Sequence, residues 1–185
     1  DFPFANENLI TKTEIDGIDT NSLPARVHDN DHAYILFTSG STGRAKGVPV
    51  KHANVEPFIK HAINYLELNM SDRVSQTFDI TFDPSIFDLF TAWTSGAHLI
   101  VPSRLDLMTV DKFLVKEKIT IFCAVPSLAQ QVNRQASLIE NSFPLLRISL
   151  FCGEALPVDL ARLWDKAAPN SILENWYGPT EATIV

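Results

Sequence analysis

Residues 33–48 read Ala-Tyr-Ile-Leu-Phe-Thr-Ser-Gly-Ser-Thr-Gly-Arg-Ala-Lys-Gly-Val. The apolar run at 34–37 has the length and composition of a buried strand. Directly behind it, positions 38–47 hold four hydroxyls, three glycines and two cations. Gly40 and Gly43 let the backbone approach a phosphate closely and turn successive amides toward it. The hydroxyls of Thr38, Ser39, Ser41 and Thr42 add neutral donors, and Lys46 adds charge. A flexible Gly/Ser linker has a similar composition, but such linkers rarely follow a buried strand with two cations in place. A P-loop is excluded by its own pattern, G-x-x-x-x-G-K-[ST]: counted from Gly40, Ala45 stands where the second glycine is required, and Lys46 is followed by Gly47 instead of a magnesium-binding hydroxyl.

Outward from this stretch, strand-length apolar runs alternate with longer amphipathic ones. A strand at 34–38 precedes helices at 54–68 and 83–93 and a strand at 97–101. The second half continues with 110–118, 120–124, 126–136, 147–151, 157–168 and 171–174. This alternation predicts an α/β fold with mostly parallel sheets flanked by helices. The helix after His52 is the clearest, because Val55, Phe58, Ile59, Ala62, Ile63 and Leu66 recur at three- and four-residue intervals along one face. Pro126 and Pro157 stand at helix starts, where the missing amide costs nothing. Residues 1–31 read as a surface lead-in and 32–185 as the ordered domain. In open α/β sheets, ligands bind beyond the carboxyl ends of the strands, so the loops there are where chemistry is expected.

Bulk composition limits the functional classes. With 185 residues, 45% of them hydrophobic, the chain has enough apolar surface for one globular core. A formal charge of −7 without a basic stripe leaves no footprint for nucleic acid. No run is long and apolar enough to span a membrane, and no leader pattern opens the chain, so a cytoplasmic location is expected. Cys123 and Cys152, each inside an apolar run, are expected as buried thiols. The chain opens on Asp1 and stops inside an apolar stretch, so both ends read as interrupted.

Two further motifs follow in order. Residues 151–157, Phe-Cys-Gly-Glu-Ala-Leu-Pro, come after a buried strand. Residues 175–181, Asn-Trp-Tyr-Gly-Pro-Thr-Glu, offer an aromatic face for a purine, a Gly-Pro turn, a hydroxyl within reach of a phosphate, and a carboxylate able to hold Mg²⁺. Together with 33–48, they resemble the signatures of the adenylate-forming superfamily, which includes nonribosomal peptide synthetase adenylation domains, acyl-CoA synthetases and luciferases. The one visible departure is Ala45, where the family usually has proline.

The resemblance implies that ATP and Mg²⁺ are required. Thr38, Ser39, Gly40, Ser41, Thr42, Gly43 and Lys46 would hold the phosphates, with Lys46 also catalytic. Gly153, Glu154, Asn175 and Tyr177 would contact adenine. Thr180 would bind the α-phosphate and Glu181 the metal, both as catalytic groups. Cys152 before Gly153 also resembles D-alanine carrier protein ligases; its role is assigned to shape, since no base stands near it in sequence.

Residues 78–88, Phe-Asp-Ile-Thr-Phe-Asp-Pro-Ser-Ile-Phe-Asp, resemble the Phe-Asp-x-Ser pocket motif of amino-acid adenylation domains. A carboxylate at Asp83 in an apolar pocket needs a partner, and the α-ammonium of an amino acid supplies one. Asp83 also suits a helix N-cap, and the two roles are compatible. Asp79 and Asp88 lack the motif context and are expected to face solvent. By the family alignment, the pocket wall would comprise Pro84, Phe87, Ser127, Leu150, Cys152, Trp176 and Ile184, a bulky apolar lining that suits a small apolar amino acid such as alanine or proline.

The expected reaction is formation of aminoacyl-AMP, followed by transfer to the phosphopantetheine thiol of a carrier protein. The alternatives are an acyl-CoA or aryl-acid ligase, and a non-catalytic nucleotide-binding module. The family's ribose-binding aspartate motif, hinge and C-terminal subdomain with its catalytic lysine are not found. The chain is therefore expected to be part of the large N-terminal domain and to complete no turnover alone.

Overall fold

The computed structural model describes residue 17 and residues 26–39, 45–135 and 137–184. Gly40, Ser41, Thr42 and Gly43 of the phosphate loop lie outside the described residues, as does the side chain of Ser39.

A five-stranded parallel sheet carries the fold, in the order β4 (His98–Ile100), β3 (Arg73–Ser75), β5 (Ile121–Ala124), β6 (Ile148–Phe151) and β7 (Ile172–Asn175). Helices connect the strands: α2 (Pro84–Ser95) runs from β3 to β4, α3 (Arg104–Met108) and α4 (Val110–Lys116) from β4 to β5, α5 (Pro126–Arg134) from β5 to β6, and α6 (Val158–Ala167) from β6 to β7. After β3 the chain moves outward to β4 and then returns to lay β5 on the other side of β3. The carboxyl ends of β3 and β5 therefore flank a topological switch point, where open sheets of this kind form a crevice.

The expected α/β alternation holds, with two additions. A separate antiparallel pair, β1 (His32–Ser39) and β2 (Ala45–Lys51), flanks the phosphate loop. No strand is expected from the sequence at β2, because Gly47 and Pro49 interrupt it; both lie on the outward face of a two-stranded edge, where proline is tolerated. Its other face pairs Leu36 with Val48 and Tyr34 with Val50, and both valines are buried. The strand β3 is also unexpected, being only three residues with Arg73 and Ser75 on either side of the buried Val74.

Strand residues alternate between two cores. Phe122, Ala124 and Phe151 face α4, α5 and α6 around the fully buried Trp164, whose ring stacks on Phe122 at 5.4 Å. Ile121, Cys123, Ile148, Leu150 and Cys152 face the opposite layer, which includes α1 (His52–Tyr65) and α2. β5 and β6 are buried on both faces, so they read as unbroken apolar runs. The helix α1 turns Val55, Ile59 and Ala62 inward, the face that its sequence spacing predicts. The helix α2 begins at Pro84 and ends on Gly96, whose φ of 74° is the left-handed stop that glycine provides.

An ion pair between the buried Asp72 and the half-buried Arg147 ties α1 to the sheet. Arg147 Nε and Nη2 donate to Asp72 Oδ1 and Oδ2 at 2.7 and 2.5 Å, and Nη1 donates to the Leu66 carbonyl at 2.8 Å. Thr120 and the Asn69 amide complete the carboxylate's partners.

Asp79 is exposed as expected, but Asp88 is not. Pro84, Phe87, Asp88, Thr91 and Ala92 share the inward face of α2, and Asp88 is 0% exposed. Helical phase overrides its polarity. Among the described residues no helix is long and apolar enough to cross a membrane.

Candidate functional site

The loops beyond the carboxyl ends of β3, β5 and β6 and the segment after β7 meet around a cavity of ≈ 530 Å³. Phe78, Phe82, Asp83 and Pro84 come from the β3 side, Val125 from β5, and Cys152, Gly153 and Glu154 from β6. Gly178, Pro179, Thr180, Glu181 and Ile184 follow β7, and Thr38 reaches in from β1. Four motifs far apart in sequence thus converge where sheet topology opens a crevice. An adjoining recess shares Gly153, Glu154 and Gly178 and adds Asn175, Trp176 and Tyr177. Tyr177 is 91% exposed there, an aromatic face with no protein partner over most of its surface.

Asp83 occupies the position before the first turn of α2, yet its side chain makes no capping bond. It is 7% exposed, and Oδ2 has no hydrogen-bond partner. Burial pushes its pKa above the usual carboxylate range. Its own backbone, the Thr180 hydroxyl and the Ile184 amide pull it partly back, and the Glu181 charge adds to the rise. A buried carboxylate oxygen without a donor is costly; a cationic group entering the cavity would satisfy it. Tyr34, on the inward face of β1, also has a buried, unpartnered hydroxyl, and burial with the nearby Asp83 charge pushes its pKa up to about 12.

Lys46 stands directly across from Thr38 in the β1–β2 register. Paired residues of a ladder share a face, so Lys46 and Thr38 lie on the inward side with Tyr34, Val48 and Val50. The exposed Lys46 is thus at the base of the phosphate loop and beside a cavity residue. Thr180 and Glu181 form a short 3₁₀ turn at the rim, with Glu181 exposed. Among the described residues no three potential metal-ligating side chains cluster. Mg²⁺ bound with a nucleotide takes only one or two carboxylates, and phosphate oxygens and water fill the rest of its shell. A single exposed Glu181 fits that donor set.

The expected pocket wall divides into three groups. Pro84, Cys152 and Ile184 line the cavity. Phe87 and Leu150, 1% exposed each, are packed behind it, and Trp176 packs on the same cluster with its ring centroid 5.6 Å from that of Phe87. Ser127 is in neither group. Its amide and hydroxyl both donate to Glu154, at 2.9 and 3.0 Å. The reason is local: Ser127 lies in the first turn of α5, whose free amides attract the carboxylate of the neighbouring loop.

Sequence reasoning assigned no role to Phe78 and Val125 and gave Gly178 and Pro179 only a turn, although all four flank strand ends or motif positions that a switch-point argument selects. Glu174 and Tyr65, which bracket Trp176, have no such signal. Cys123 and Cys152 are free and buried, and burial pushes the Cys123 thiol well up.

Comparison with known proteins matches residues 2–185 to the family described as AMP-binding enzyme. The chain is 32% identical over 175 residues to the "D-alanine--D-alanyl carrier protein ligase" of Bacillus licheniformis, covering 92% of this chain and 35% of that protein. It is 36% identical to the "L-proline--[L-prolyl-carrier protein] ligase" of Streptomyces coelicolor, covering 83% of this chain and 30% of the other. Among solved structures, the Vibrio cholerae adenylation domain AlmE in complex with glycyl-adenosine-5'-phosphate superposes with a TM-score of 0.81 at 38% identity, over 84% of this chain and 30% of that one. The chain spans about a third of the length of the curated relatives it matches.

Proposed function

Because the chain belongs to the AMP-binding enzyme family, we propose that it forms the ATP-gripping and acid-selecting part of an amino-acid ligase. In this reading a carboxylate oxygen of a small apolar amino acid attacks the α-phosphorus of ATP. The bond to the β-phosphate breaks, pyrophosphate leaves, and aminoacyl-AMP remains; a carrier-protein thiol then attacks its carbonyl and AMP departs. Little covalent chemistry is asked of the protein, whose work is alignment and charge neutralisation.

Asp83 is the residue on which the reading rests. Asp83 lines the cavity beside Thr180 and Glu181, and its Oδ2 is buried without a hydrogen-bond partner, an arrangement suited to an α-ammonium held close to the phosphate-handling groups. Lys46, opposite Thr38, would neutralise phosphate charge together with the loop of Gly40, Ser41, Thr42 and Gly43. Thr180 would orient the α-phosphate. Glu181 would hold Mg²⁺, which when bound supplies further neutralisation of the phosphates. Gly153, Glu154, Asn175 and Tyr177, grouped around the adjoining recess, would receive adenine. Carrier-protein ligases among the relatives support the thiol acceptor.

A fatty or aryl acid brings no cation to Asp83 and would leave its charge unpaired, which disfavours a ligase for either class. A non-catalytic nucleotide module has no use for the pairing of Thr180 with Glu181 at the rim. The test is ATP–pyrophosphate exchange by the complete protein across a panel of amino, aryl and fatty acids. Exchange driven by small amino acids is expected; exchange driven only by aryl or fatty acids, or by none, overturns the reading.

A further inference from the structure

Glu174 lies in β7, two residues before Trp176. Its two carboxylate oxygens accept from different elements. Tyr65, the last residue of α1, donates its hydroxyl to Oε1 at 2.9 Å, and the Trp176 indole N–H donates to Oε2 at 3.2 Å. The Trp176 backbone is fixed separately, its amide donating to the Phe151 carbonyl at 2.8 Å. The indole then meets three rings: Phe87 edge-on at 5.6 Å, Phe58 edge-on at 6.3 Å and Tyr65 tilted at 6.5 Å. Phe87 lies one helical turn beyond Pro84, which lines the cavity, and Trp176 packs on the cluster holding Cys152 and Ile184, which also line it. The Phe87 and Trp176 rings therefore pack behind the wall that Pro84, Cys152 and Ile184 give the cavity, and Trp176 also borders the adjoining recess.

Ring packing alone leaves an indole free to choose among rotamers, whereas a hydrogen bond to its N–H selects one. We propose that Glu174 is a positioning residue for substrate selection: by bridging Tyr65 and Trp176, it holds the indole as the closed end of the acid pocket and so restricts the enzyme to small amino acids. This role rests on the amino-acid ligase reading above. It assigns size selection to a carboxylate and a tyrosine outside the cavity lining, acting through the indole packed behind that lining.

The test uses the complete enzyme with Glu174→Ala, Glu174→Gln and Tyr65→Phe, and reads kcat/KM in amino-acid-dependent pyrophosphate exchange for glycine, alanine and proline against leucine and phenylalanine. Glu174→Ala is expected to shift the small-to-large ratio about tenfold or more toward the large acids, through the amino-acid KM, with any change in the KM for ATP the same for every acid. Glu174→Gln, which keeps an acceptor oxygen, should restore most of the selectivity, and Tyr65→Phe should shift it less in the same direction. A ratio within about twofold of the unmutated enzyme, or an equal loss for every acid, overturns the role. If Glu174→Ala fails to fold, Tyr65→Phe decides by the same ratio. Amino-acid-independent behaviour of the unmutated enzyme would instead remove the ligase reading, and this role with it.

Discussion

Glu154 accepts two hydrogen bonds from Ser127, one from its backbone amide and one from its hydroxyl. The loop after β6 is thereby fastened to the first turn of α5, which follows the neighbouring strand. No local side chain caps α5, so a residue distant in sequence serves its free amide. Glu154→Ala is expected to destabilise the protein by about 1 kcal/mol, the usual cost of a lost cap, and to raise the KM for ATP several-fold as the Gly153–Glu154 turn loosens. Glu154→Gln keeps an acceptor and should do less of both. Chemical denaturation and exchange kinetics read the two effects separately.

Gly153 has φ 81°, in the left-handed region. A Cβ there would meet Val125 Cγ1 at 3.6 Å, ordinary contact, so space is not the obstacle. Gly153→Ala should cost about 1–2 kcal/mol through backbone conformation alone, and Gly153→Asn, which tolerates this region better, should cost less. The reverse order of midpoints would show that packing, not φ, governs the turn.

The Asp72–Arg147 pair links stability to pH. Burial works against the Asp72 charge, but the bonds from Arg147, the Asn69 amide and the Thr120 hydroxyl outweigh it and hold the carboxyl below its ordinary range. A depressed folded-state pKa contributes stability that is fully present above the unfolded value of about 3.9 and is lost as pH falls through the folded value. Asp72→Ala should cost about 1–3 kcal/mol at neutral pH, because it removes the acceptor of Arg147, the Asn69 amide and the Thr120 hydroxyl, and the difference from the unmutated protein should shrink below about pH 4. Denaturation midpoints across pH 3–7 check both parts.

Asp88 has the opposite sign. Burial, foremost, and the adjacent Cys152 push its pKa well above the carboxylate range, and both oxygens lack hydrogen-bond partners of good geometry. The folded state then holds a proton that the unfolded chain releases above about pH 3.9, so stability falls as pH rises from there toward the folded value. Asp88→Asn, of equal shape and without the charge, should raise the midpoint, with a gain that grows as pH rises above about 4. A gain independent of pH would mean that Asp88 is ionised in the folded protein.

Periodicity in the sequence discloses the elements that bury an apolar face, among them α1, α2, β5 and β6. The strands β2 and β3 escape it for physical reasons. One is interrupted by Gly47 and Pro49; the other is three residues long, with Val74 its one apolar residue beside the buried Ser75. Asp83 is legible because its chemistry needs a partner, while Asp88 is hidden by the assumption that an unassigned carboxylate faces water. Its spacing from Pro84 and Phe87 already puts it on their face of α2. Ser127 binds Glu154 through a loop-to-helix contact that no sequence interval encodes, and the same is true of Tyr65 and Glu174.

The most direct measurement is amino-acid-dependent ATP–pyrophosphate exchange by the complete enzyme before and after Asp83→Ala. Loss of the buried partner of the α-ammonium should lower kcat/KM for the amino acid about 100-fold, from a cost of roughly 3 kcal/mol for breaking such a pair, and leave the KM for ATP near its unmutated value. Exchange that is undiminished in the variant would contradict the assignment of Asp83 to the ammonium, and with it the choice of an amino acid as the substrate.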